Sequence, residues 1–153
     1  AFLGIAAVLA LAIAWLNRSY ILRADRTIDD PAFVTAANKV CGKRVVDLRA
    51  VRREDNTDNN LELQTAKQIE RVAPKLQAIV EELAAIKVNA ASQVKVTEWL
   101  GHYDDYSAAG LRYAAAIRRG NPDEYNRVDD EGIAPLRAIS QFARGNRIDA
   151  CIP

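Results

Sequence analysis

The pattern of apolar positions divides the chain into three stretches. From Ala1 to Leu16 the sequence AFLGIAAVLALAIAWL contains no charged residue. A bilayer-spanning helix needs about 20 such residues. The run begins abruptly at Ala1, so a short preceding piece is expected to complete the span. The middle stretch is mixed. Asp30-Pro31 reads as an N-cap followed by proline at the first helical position, which predicts a helix over 31–41 ending before Gly42. VVDLRAVRRED then has a β-branched start that permits a short strand, and NTDNN (56–60) reads as a polar loop.

Beyond the loop, helical spacing dominates. Leu63, Ala66, Ile69, Val72, Leu76, Ile79, Val80, Leu83 and Ile86 are separated by threes and fours with one adjacent pair. This is the apolar stripe of an amphipathic helix over 61–88, with a kink or break near Val72–Ala73 imposed by Pro74. Asn89 to Ser92 makes a turn. Val94, Val96, Trp99, Leu100, Tyr103, Tyr106, Leu111, Tyr113 and Ile117 support a helix over 92–119, weakened at Gly110 and ended by Gly120. Asn121-Pro122 caps a last helix, with Asp123 and Glu124 near the positive end of its dipole. It is expected to break near Gly132, resume at Pro135 and close at Gly145.

The reading is therefore all-α: an N-terminal transmembrane helix (1–23), a juxtamembrane linker (24–30) and a soluble bundle of three to four helices (31–153). An α+β domain using VVDLRAV as a strand is the alternative, with QVKV (93–96) as its only candidate partner. For the first run, the rivals are a signal peptide, since Ala12-Ile13-Ala14 resembles a cleavage site, and a buried core helix. Ala6, Ala10 and Ala14 recur every four residues, a smooth stripe on which another membrane helix can pack closely. Trp15 and Tyr20 fall near the interface, where amphipathic rings prefer to lie.

Two cysteines bracket the soluble part, Cys41 and Cys151. A disulfide is the favoured reading, and it places the bundle outside the cytoplasm. Two unrelated buried thiols are the alternative; a metal pair is disfavoured because His102 is the single histidine. Arg18, Arg23 and Arg26 argue for the opposite orientation.

Composition narrows the function. The net charge of +1, without a basic stripe interleaved with aromatics, excludes a nucleic-acid partner. Arginine outnumbers lysine 15 to 6 and alanine is abundant, a bias of GC-rich bacterial genomes. The sequence contains neither a glycine-rich phosphate loop nor a G-x-S-x-G elbow. His102 lies beside Asp104 and Asp105, but three groups on one helix read as a solvated face, as do Glu81-Glu82 and Asp129-Asp130-Glu131. Ser107 and Ser140 have no second histidine to recruit. No catalytic, metal or cofactor site is expected. Trp99, Tyr103 and Tyr106 share one helix face, where filling the bundle core is the favoured reading and a recognition patch for a partner or lipid the alternative.

In organisation, the single anchor, the exported helical domain with first-and-last cysteines and the Ala/Arg-rich composition resemble the single-span accessory subunits of actinobacterial, especially mycobacterial, Mce lipid-uptake transporters. The resemblance implies a non-catalytic accessory or assembly subunit that binds an integral membrane complex in the inner membrane and helps move lipid. The alternatives are an anchored extracytoplasmic protein that binds a lipid or other ligand itself, and a subunit of a respiratory supercomplex.

Overall fold

The structure is a computed structural model, which describes residues 27–54 and 60–153. The expected spanning helix and its stripe Ala6, Ala10 and Ala14 lie outside the described residues. Among those described, no helix is long and apolar enough to cross a membrane, and the secondary structure is entirely helical.

Five helices form the bundle: α1 (Pro31–Glu54), α2 (Leu61–Ala84), α3 (Gln93–Arg119), α4 (Pro122–Asp129) and α5 (Ile133–Gly145). Short 3₁₀ turns occupy Asp130–Gly132 and Asp149–Cys151. The Asn60 side chain caps α2, accepting from the backbone N–H groups of Glu62 and Leu63 at 3.0 and 3.1 Å. Asn121 caps α4 the same way through the Glu124 N–H, at 3.2 Å. Gly120 ends α3 in the left-handed region, with φ 64°, where a side chain would be strained.

Two expectations fail in the same direction, since tertiary packing carries a helix through residues that disfavour it. The first concerns α1, which does not stop at Cys41. It passes through Gly42 and absorbs the whole of the candidate strand as far as Glu54. A helical glycine costs about 1 kcal/mol relative to alanine. That cost is outweighed because Phe33, Ala37, Cys41 and Val51 are buried along one face of the continuous helix. QVKV likewise opens α3 rather than forming a strand.

The second concerns Pro74: of the kink or break expected near it, the break is absent, and α2 runs through it. A proline deprives the carbonyl four residues earlier, here that of Glu70, of its helical partner. Pro74 itself is exposed, so the lost bond is on the side of the helix that water reaches, while Ala73, Leu76, Ile79, Val80 and Leu83 stay buried around it. At its other end α2 stops at Ala84, short of Val88, but Ile86 and Val88 still pack on the core.

The main core joins Phe33, Ala37 and Cys41 of α1, Leu76 to Leu83 of α2, Val96 to Tyr103 of α3 and Ile139 to Ala143 of α5. A smaller cluster of Ala66, Ala114 and Ile117 lies toward the opposite end. Between them α2 and α3 approach closely at Gly110, where a Cβ would meet the Ile69 Cγ2 at 3.4 Å. A side chain there would make an ordinary contact, and α3 runs unbroken through this glycine.

Leu83 is fully buried at the meeting of these helices. Leu83→Ala should lower unfolding free energy by about 2–5 kcal/mol, read from urea denaturation followed by far-ultraviolet circular dichroism. A change below about 1 kcal/mol would mean that the four-helix core is not formed as described.

Candidate functional site

The structure concentrates its long-range polar contacts at one end of the bundle, where the described chain begins. Thr27 offers its carbonyl to the Lys95 Nζ at 3.0 Å. Ile28 donates its N–H to the Asn146 Oδ1 at 2.8 Å. The Asn89 Nδ2 donates to the Asp29 carbonyl at 2.7 Å. Asp30 then uses both carboxylate oxygens. Oδ1 caps α1 through the Phe33 N–H at 3.0 Å, and Oδ2 accepts the Asn89 N–H at 2.8 Å. These bonds from Asn89 and Phe33 hold the Asp30 carboxyl below its ordinary pKa.

The described part of the expected linker is thus part of the folded unit, and Ile28 packs against the main core. The N-cap role of Asp30 was legible from Asp-Pro. Its second bond joins residues 59 apart in sequence and leaves no local signal. The same is true of Asn146, which also donates to the Phe142 carbonyl at 2.8 Å. The Arg147 carbonyl accepts from the Asn38 Nδ2 at 2.8 Å, which holds a non-glycine residue with φ 59° in place after α5. It is Arg147, not Gly145, that takes the left-handed turn there.

The cysteines are bonded. Cys41 and Cys151 lie 110 positions apart in sequence, with Cα atoms 5.0 Å apart, and both are buried. The bond ties the final 3₁₀ turn to the middle of α1. The Tyr103 hydroxyl donates to the Cys151 carbonyl from α3. Burial pushes the Tyr103 phenol well above its ordinary pKa, so it remains a neutral donor.

The aromatic face is core. Trp99 and Tyr103 are each 1% exposed, so they cannot form a recognition patch; Tyr106 is half-buried and packs on the same cluster. Trp99 stacks on Phe142 with centroids 4.8 Å apart and meets Tyr103 and Phe33 edge-on. Phe33 and Phe142 escaped the sequence reading because each is a lone aromatic on its helix. His102 approaches only Asp105, at 4.0 Å, and among the described residues no group of three His, Cys, Asp or Glu side chains is placed to hold a metal.

Beside this core a half-open apolar groove of about 320 Å³ runs between the end of α2 and the start of α3, lined by Val80, Leu83, Val88, Val96 and Leu100, with Asp104 at its edge. Comparison with protein families, curated proteins and solved structures gave no match. What the site does physically is fix the segment through which the chain enters the bundle, while leaving cationic side chains exposed around it: Lys87, Arg144 and Arg147.

The Asp30 clamp has a pH signature. Because its folded-state pKa is depressed, its contribution is fully present above the unfolded-state value of about 3.9 and is lost as pH falls through the folded-state value. Asp30→Asn keeps an acceptor for Phe33 but turns an amide N–H toward Asn89. The parent should melt at a higher temperature than Asp30→Asn at about pH 7, and the difference should close below about pH 4. A gap that stays constant across that range would remove the carboxylate from the account.

Proposed function

We propose that this chain is a membrane-tethered, non-catalytic accessory subunit of a larger integral membrane complex, with its bundle held at a set orientation to the bilayer. The observation that carries the reading is the pinning of Thr27 to Asp30 by Lys95, Asn89 and Asn146. A domain tethered through a loose linker samples many orientations. Here the uncharged run of the first sixteen residues is followed, ten residues later, by a segment bonded to three parts of the bundle. Whatever that run packs against thereby also sets which end of the bundle is tethered to the bilayer. The buried disulfide supports an extracytoplasmic location, since such bonds persist outside the reducing cytosol. The organisation of the chain favours an actinobacterial Mce-type lipid transporter in the inner membrane as the partner complex.

A second reading has one observation of its own. The apolar groove between α2 and α3 has room for part of an acyl chain, which suits an anchored protein that holds lipid itself. Its half-open shape and the Asp104 carboxylate at its edge, which repels a fatty-acid headgroup, make this the weaker reading.

Under the favoured reading, Ala6, Ala10 and Ala14 form the stripe that meets the partner helix, because helix association in a bilayer depends on close packing. Ala10→Leu/Ala14→Leu should leave membrane insertion intact and reduce co-purification of the partner complex in mild detergent, because the larger side chains keep the two helices from approaching closely. Equal recovery with the double variant would discard the stripe as the interface. Release of the parent from membranes by alkaline wash would discard the anchor.

A further inference from the structure

We propose that the end of the bundle where the chain enters rests directly on the lipid headgroups of an anionic bilayer, with Lys87, Lys95, Arg144 and Arg147 as its cationic contacts and Val94 as its apolar one. The proposal rests on the anchored reading above and adds the surface and the chemistry that it meets.

The topology brings these residues together. The helices α1 and α3 begin at this end, and α2 and α5 finish there, because Asp30 binds Asn89, Ile28 binds Asn146 and Lys95 binds Thr27. Lys87 lies in the α2–α3 connection, Lys95 in the first turn of α3, Arg144 in the last turn of α5 and Arg147 just beyond it. Lys87, Arg144 and Arg147 are exposed, and Lys95 is half-exposed. An ammonium has three donors, so Lys95 keeps two after binding Thr27. Of the carboxylates near these four cations, Asp30 is buried with both oxygens occupied, while Asp29, Glu98 and Asp149 are exposed.

Val94 is 75% exposed in the first turn of α3 beside Lys95, with the exposed Ala90 and Ala91 in the connection before it. A small apolar tip inside a ring of Lys and Arg is how a protein surface meets headgroups, with the apolar atoms reaching toward the acyl boundary and the cations meeting phosphate. The far end has a different character: Arg112, Arg118, Arg119 and Arg127 are taken up there by Glu131, Glu70 and Glu124. The position of Thr27 selects the occupant. The chain outside the described residues joins the bundle at this end through Thr27, ten residues after the uncharged run, so an inserted N-terminal run tethers the bundle to the bilayer by this end.

The test uses the full chain in lipid nanodiscs, one set zwitterionic and one containing phosphatidylglycerol, with amide hydrogen exchange of residues 86–95 and 143–148 as the readout. Exchange in these segments should slow several-fold in the anionic discs. The slowing should vanish above about 0.5 M salt, where screening acts over only a few ångströms, and in the variant K87Q/K95Q/R144Q/R147Q. Unchanged exchange at residues 61–70 shows that the variant is folded, and the salt titration of the parent tests the proposal even where the variant does not fold. Equal exchange in the two lipids, with the chain incorporated, overturns the headgroup contact alone. A chain that elutes free of the discs overturns the anchor and this proposal together.

Discussion

The disulfide between Cys41 and Cys151 is the constraint on which the arrangement of the bundle depends. The antiparallel pair α2 and α3 is joined by an eight-residue connection and buries a continuous row of large side chains, so local sequence suffices to assemble it. The first helix is different. Among its described side chains the fully buried large one is Phe33, with Val51 nearly so, while Val34, Val40 and Leu48 pack on the core only partly buried. Burial of two such residues supplies about 3–6 kcal/mol. Closing a loop of 110 residues contributes a similar amount, about 4–5 kcal/mol in the chain-entropy description. The covalent tie is therefore comparable to the burial of the two large side chains that α1 encloses most fully among the described residues, and it places the final 3₁₀ turn against the middle of that helix.

Around the tie, three devices act together. Tyr103 reaches from α3 to the Cys151 carbonyl, so the helix pair also holds the C-terminal turn. Trp99 fills the space between α1 and α5 by contacting both Phe33 and Phe142. At the end of the bundle, Asp30 closes α1 onto the α2–α3 connection. The Asp30 clamp and the disulfide grip the first half of α1 about three turns apart, and beyond them the burial of Val51 on the same face carries the helix through the exposed Gly42. Holding residues 27–30 and the final 3₁₀ turn in this way fixes where the described chain enters the bundle, and the proposed function and the proposed lipid-facing surface both follow from that entry.

The legible part of the fold was that written in local spacing. The stripes of α2 and α3, the Asn121 cap, the turn at Asn89 and the interruption near Gly132 all depend on neighbours within a few residues. The cysteine pairing was legible for a different reason: two thiols with one histidine in the chain leave few other partners. The failures were long-range. Gly42 and Pro74 are helix breakers by local preference, and only the face that each leaves toward solvent shows why they are tolerated. The aromatic run Trp99, Tyr103 and Tyr106 has the same spacing whether it faces a partner or a core. Phe33 and Phe142, which decide for the core, come from 66 residues upstream and 43 downstream of Trp99. The second oxygen of Asp30 was equally invisible, since its partner lies on a separate element.

The measurement that tests the dependence of α1 on the disulfide most directly is amide hydrogen exchange on the full chain, oxidised and then reduced under otherwise identical conditions. Reduction is predicted to accelerate exchange throughout Pro31–Glu54 and at Asp149–Cys151 by roughly two to three orders of magnitude, the equivalent of about 3–4 kcal/mol, while the amides of Leu76 to Leu83 and Val96 to Tyr103 keep most of their protection. If α1 exchanges as slowly after reduction as before, its own packing suffices to hold it, and the disulfide is not the constraint around which this bundle is built.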